Sequence, residues 1–150
     1  MTAITYTLMN NEALKIEQVR WRDKESHLRH IRTLVFVEEQ HVPIELEWDE
    51  YDDKCIHVLA MHNNVALATG RLLETGRIGR MAVLKPYRKQ GVGSKVLELL
   101  LSIAESKNMN YVFLYSQIDA IGFYRQFGFE EEGDIFDDAG IPHKKMVKLF

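Results

Sequence analysis

Residues 55–84 read CIHVLAMHNNVALATGRLLETGRIGRMAVL, and this stretch constrains the fold more than any other. Three runs of strand formers are separated by two turn signals. Asn63-Asn64 predicts a two-residue hairpin turn, because asparagine tolerates positive φ. Gly76 turns the chain a second time. Consecutive strands joined by such short turns pair antiparallel, so the stretch predicts a three-stranded meander.

The rest of the chain must pack on that meander. Upstream, ITYTLM and LKIEQVRW alternate as short strands. Asp23 is placed to cap a helix through Leu28, Ile31, Leu34 and Val35, which share roughly one face, and Pro43 closes that region. The acidic segment after it reads as loop or a short helix. Downstream, Leu97, Leu100, Leu101 and Ala104 follow helical spacing, and YVFLYS reads as a strand buried on both faces. DAIGFYRQF predicts a short helix stopped at Gly128, and FEEEGDIF with HKKMVKLF a closing hairpin turned at DDAGIP. A meander, then strand–helix–strand, then helix and hairpin, describes an α+β fold with a mixed sheet. No repeat or linker-like tract interrupts residues 1–150, so one domain is expected.

Composition narrows the function. The net charge of -3 argues against a general nucleic-acid binder. One cysteine, Cys55, rules out an internal disulfide and reads as a buried small hydrophobe. The N-terminus lacks a secretory pattern and no run approaches a membrane span, so a cytoplasmic protein without membrane partner is expected. His27 and His30 share a helix face without the further ligands a metal needs. Trp21 and Trp48 fit either core or pocket lid.

The sharpest chemical signal is YRKQGVGS at residues 87–94, followed at once by the apolar run KVLELLL. Neither a P-loop nor a dinucleotide fingerprint fits its spacing. The turn still joins a strand to a helix start, where free amides and the helix dipole favour an anion. Glycines allow close approach, Arg88 and Lys89 add positive charge, and Ser94 adds a hydroxyl.

With its flanks, RMAVLKPYRKQGVGSKVLELLL resembles the acetyl-coenzyme-A signature of the GNAT superfamily of N-acyltransferases. Arg88, Gly91 and Gly93 match the pattern [RQ]-x-x-G-x-[GA], with Ala82-Val83 and Pro86 upstream. FYRQFGF resembles the aromatic-rich last helix of the same family, and the element order matches over nearly the whole chain. The resemblance implies a central mixed, mostly antiparallel sheet flanked by helices and splayed between its fourth and fifth strands. These are the strand through Met81, Ala82 and Val83 and the YVFLYS strand. It implies that the backbone of Arg88, Lys89, Gln90, Gly91, Val92, Gly93 and Ser94 cradles the coenzyme A pyrophosphate. The pantetheine arm would enter the splay beside Met81, Ala82 and Val83, with Phe123 and Tyr124 nearby.

The implied activity is transfer of an acetyl group from acetyl-CoA to a primary amine of a small molecule or peptide, directly, through a tetrahedral intermediate. An alkyl ammonium with a pKa near ~10 must lose a proton first, the oxyanion needs preorganised donors, and the thiolate needs a proton. By resemblance the donor is the Val83 amide and the general acid Tyr124. Many family members place an asparagine after the YVFLYS strand; here Ser116 and Gln117 stand there. A non-catalytic acyl-CoA sensor or interaction module would need the glycine turn but not Tyr124. A homodimer is compatible with either.

For the acceptor, residues 38–53 hold eight carboxylates and no lysine or arginine, which predicts an acidic cleft for a cationic amine. This stretch, with DAGIPH near the end, resembles a bacterial branch of the ElaA type. Glu39, Gln40, Glu47, Asp49 and His143 are the resulting candidates for acceptor binding or the base, and Arg32, Arg71 and Arg80 could instead hold a carboxylate or phosphate on the acceptor.

Overall fold

The structure, a computed structural model, describes residues 3–7 and 13–150. Five strands form one antiparallel sheet in sequence order: β1 (Ala3–Thr7), β2 (Ala13–Val19), β3 (Ile56–His62), β4 (Val65–Leu72) and β5 (Ile78–Val83). A second sheet has the order β6-β8-β7, from β6 (Tyr111–Gln117), β7 (Glu130–Asp138) and β8 (Ile141–Leu149). Helix α1 (Trp21–Arg32) leads into a π-helical segment, Thr33–Glu39, and the short α2 (Ile44–Glu47). Helices α3 (Val92–Ser106) and α4 (Ile121–Arg125) flank β6 in sequence.

The meander forms where its turn residues demand it. Asn63 and Asn64 have φ of 47° and 68°, as a primed hairpin turn requires. Gly128 (φ 89°) stops α4, and Ala139-Gly140 (φ 53° and 78°) turns the last hairpin. Of the ITYTLM strand, Leu8 and Met9 lie outside the described residues.

The predicted face of α3 is the buried one. Leu97, Leu100 and Ala104 are fully buried and Leu101 nearly so, each leucine contributing roughly 2 kcal/mol through the area it removes from water. The helix lies so close to β4 that a Cβ on Gly70 would come within 2.8 Å of the Leu100 Cδ1 and 2.6 Å of the Met81 sulfur. Glycine is what lets the helix, β4 and β5 meet there.

Four local expectations are corrected. The N-cap of α1 is Arg20, not Asp23; Asp23 sits in the first turn and accepts from the Arg20 Nε at 3.0 Å. The helix starts early because Trp21 must point into the core, where it is buried. Leu34 leaves the buried face of Leu28, Ile31 and Val35, because π-helical winding from Thr33 changes the angular spacing. Strand β6 buries Val112, Leu114 and Ser116 but leaves Tyr111 about half exposed, so it is covered on one face only. Finally, the splay lies between the fifth and sixth strands in chain order, because β1 adds one strand before the pair the family pattern names.

That splay creates the site. β5 and β6 run parallel and touch at a single bridge, Arg77 to Phe113, with the Phe113 amide donating to the Gly76 carbonyl at 3.1 Å. Beyond it the strands separate. A bulge strengthens the divergence: Thr69 pairs Ala82 but Arg71 pairs Gly79, leaving Arg80 and Met81 opposite Gly70, with Arg80 at φ 50°. Among the described residues no helix is long and apolar enough to cross a membrane.

Candidate active site

Two cavities open from the splay. One, of about 460 Å³, lies over the glycine turn and is walled by the end of β5 and by α4. The other, of about 430 Å³, lies between the first half of β5, β6 and the turn joining β7 to β8. Gln40, Met81, Ala120 and Tyr124 line both.

The first cavity gathers nearly all of the residues expected around a coenzyme. Met81, Ala82, Val83, Arg88 and Lys89 line it, as do Gly91, Val92, Gly93 and Ser94 from the helix start and Phe123 and Tyr124 from α4. Gln90 does not; its amide turns back to the Pro86 carbonyl at 3.2 Å. Gly91 is the N-cap of α3 with φ 81°, and Lys89 also has positive φ at 63°. Among the described residues no side chain caps this helix, so the first-turn amides are left to a ligand or water. Gly93 serves packing: a Cβ there would lie 3.3 Å from the Val83 Cγ2 and 3.8 Å from the Phe123 ring.

The open edge of β5 is set by register. The Leu84 amide donates to the Leu67 carbonyl at 2.8 Å, so Val83 and Ala68 form a non-hydrogen-bonded pair. The Val83 amide and carbonyl therefore point away from β4, into the gap. The Arg88 Nε donates to that Val83 carbonyl at 2.9 Å. The other two guanidinium nitrogens take both oxygens of Glu39, at 2.7 and 2.6 Å. Glu39 thus stands apart from the other acceptor candidates, and the Arg88 side chain is spent on protein.

Tyr124 is 9% exposed, with its ring edge-on to Phe123 and Phe129. Among the described residues its hydroxyl has no hydrogen-bond partner. Burial pushes the phenol well above its ordinary value, so the group is a proton donor at neutral pH.

The second cavity is not the acidic cleft that residues 38–53 suggest. Glu47, Asp49 and Asp52 are each met by arginine. Buried Arg32 donates to Glu47 Oε2 and Asp52 Oδ1, both at 2.7 Å. Arg71 binds Asp49 through both terminal nitrogens, at 2.8 and 2.7 Å, and Asp52 at 2.8 Å. Arg80 lies 3.1 Å from Glu47 and 3.4 Å from Asp49. Three guanidinium groups balance three carboxylates. Burial pushes Glu47 up against the pull of Arg80 and Arg32. At Asp49 and Asp52 the hydrogen bonds and charge of Arg71 and Arg32 outweigh burial and hold the carboxyls below their ordinary value.

Gln40, Glu47, Asp49, Arg71 and His143 all line this cavity. His143 Nδ1 lies 2.7 Å from the Ile141 carbonyl, which fixes a proton on that nitrogen and leaves Nε2 as the acceptor. Ser116 donates to the Gln117 carbonyl at 2.7 Å, and the Gln117 amide to Gln40 at 2.8 Å. Of the two residues standing where the family's asparagine is usual, Gln117 ties β6 to the end of the π-helical segment, while Ser116 bonds within its own strand. Trp48 and Trp21 flank the Arg32 guanidinium, at 5.0 and 5.4 Å, which settles them as part of the ion-pair cluster. The Cys55 thiol is pushed up to about 11 by burial and lines neither cavity. Arg77 and Tyr115, which also line the second cavity, escape sequence reasoning, because only the β5–β6 bridge brings them together.

A parallel strand pair splayed beside an uncapped glycine turn, with a buried tyrosine at the junction of two cavities, defines an acyl-CoA acyltransferase fold. The family described as "Acetyltransferase (GNAT) domain" matches residues 22–150. The chain is 39% identical over 124 residues to YyaT of Bacillus subtilis, covering 79% of this chain and 84% of that one. The crystal structure of an acyl-CoA N-acyltransferase from Pseudomonas aeruginosa superposes with a TM-score of 0.81 at 29% identity, over 90% of this chain and 99% of that one. That of Escherichia coli ElaA gives 0.80 at 26% identity, over 89% and 98%. The chain therefore belongs to the GNAT acetyltransferase family, whose chemistry is acyl transfer from acyl-CoA.

Proposed function

We propose that this chain is an N-acetyltransferase that moves an acetyl group from acetyl-CoA to a primary amine, with Tyr124 as general acid. The observation that carries the reading is the place of Tyr124, a buried phenol with an unspent hydroxyl that lines both cavities. The first cavity suits the coenzyme. Its glycine turn offers uncapped amides for the pyrophosphate, and a Cβ on Gly91 would lie 3.4 Å from the Lys95 Nζ, a cation at the same turn.

Acetyl-CoA supplies the acyl group as an activated thioester. The Val83 amide, aimed into the gap, is positioned to donate to a developing oxyanion. The Tyr124 hydroxyl holds the proton that the departing sulfur needs. The amine enters from the second cavity, where an ammonium must first be deprotonated. Glu47 and Asp49 are committed to arginines, which makes them positioning residues. His143 Nε2 is the base: its tautomer is fixed by Ile141 and its ring is stacked on Phe136.

Calorimetric titration with acetyl-CoA, coenzyme A and dephospho-coenzyme A, followed by thiol release with a panel of amines, tests the reading. Binding of the first two with amine-dependent thiol release supports it. Binding without turnover on any amine would leave a non-catalytic acyl-CoA sensor in its place. No binding would remove its foundation.

A further inference from the structure

Among the described residues, one cation lining the second cavity has no carboxylate partner. Of the three arginines that line it, Arg71 and Arg80 belong to the balanced cluster with Glu47, Asp49 and Asp52. Arg77 does not. Among the described residues it has no carboxylate partner and no side-chain hydrogen bond. Its guanidinium lies over the Tyr115 ring, 4.7 Å from the centroid. Asp138 lines the same cavity without forming an ion pair with it.

Arg77 is also held in place. Its backbone forms the bridge to Phe113, the one point where β5 and β6 pair. The Tyr115 ring then fixes the guanidinium plane, so its five donors keep one orientation. A half-buried, oriented guanidinium in the wall of a cavity matches a carboxylate, which it can bind through two parallel hydrogen bonds.

We infer that the acceptor is an amine bearing a carboxylate, with the carboxylate bound by Arg77 and the amine directed to Tyr124. This rests on the acetyltransferase reading and names the substrate class of its second cavity. The carboxylate and the amine must reach from Arg77 to the junction of the cavities at Met81 and Tyr124, so the acceptors that test it carry their two ends on one extended chain.

The test compares three acceptors of one chain length: ε-aminocaproate, hexylamine and hexamethylenediamine, which end in a carboxylate, a methyl and an ammonium. Thiol release from acetyl-CoA should give ε-aminocaproate a kcat/KM about tenfold or more above the other two. In Arg77→Ala that advantage should shrink to about twofold, mainly through KM, and Arg77→Lys should keep part of it. Preference for the diamine, or an advantage untouched in a folded Arg77→Ala, would overturn the inference. So would failure of ε-aminocaproate as an acceptor while calorimetry shows acetyl-CoA bound, although the coenzyme reading would stand. Absence of acetyl-CoA binding would remove both.

Discussion

The Arg88 guanidinium lies fork to fork on the Glu39 carboxylate, with N···O distances of 2.6 and 2.7 Å. The pair ties the π-helical segment to the glycine turn, across 49 residues of sequence. The Arg88 hydrogen bond also holds the Glu39 carboxyl below its ordinary value. Both side chains are about one-third exposed, so the pair stabilises the fold by no more than about 1 kcal/mol. Glu39→Gln should leave the melting temperature nearly unchanged. It should tighten acetyl-CoA binding a few-fold at low salt, because it leaves a cation beside the turn unbalanced. Weaker binding in calorimetry would mean that the pair shapes the cradle rather than neutralising it.

Gly91→Glu should abolish coenzyme binding. The position has φ 81°, which strains any side chain, and it sits at the helix start where an anion is expected. A folded variant that bound acetyl-CoA unchanged would move the pyrophosphate site elsewhere.

Tyr124→Phe keeps the ring contacts with Phe123 and Phe129 and deletes only the hydroxyl. The expected result is a kcat lower by about a hundredfold or more, with acetyl-CoA affinity little changed. Because burial raises the phenol, activity should show no alkaline loss from Tyr124 near its ordinary pKa of 10.0. An unaltered kcat, with chemistry shown to be rate-limiting, would take Tyr124 out of the mechanism.

Arg32→Met should be the most damaging of these changes. It fills similar volume but takes one of two arginine partners from each of the buried Glu47 and Asp52 carboxylates, leaving them to Arg80 and Arg71. Breaking such a cluster costs about 3–5 kcal/mol. Chemical denaturation measures this directly, and a loss below about 1 kcal/mol would show that water or rearrangement replaces the arginine.

Stability should also fall on mild acidification. Burial holds the His57 imidazole below its ordinary 6.5, outweighing the Asp52 carbonyl beside it. The unfolded imidazole takes up a proton that the folded one refuses. The stability it contributes is therefore complete above pH 6.5 and is lost as pH falls through the lower folded value. Asp49 and Asp52, also held low, add a second loss below about their unfolded 3.8. Melting curves in His57→Gln should lose the first slope and keep the second.

Local chemistry made much of this protein legible. Asn63-Asn64, Gly128 and Gly140 turn the chain by their own chemistry, because glycine and asparagine take positive φ at little cost. The apolar spacing of α3 and the glycine turn before it likewise needed no tertiary context. What tertiary structure decided was charge. Residues 38–53 read as an acidic surface because the arginines that answer them, Arg32, Arg71 and Arg80, lie 15 to 33 positions from their partners, on other elements. The bulge at Arg80 and the single bridge at Arg77 are equally long-range, arising from how β5 meets β4 and β6. A side chain's partners follow from packing between distant segments, so a run of like charges fixes its own polarity but not the field of the cavity it lines.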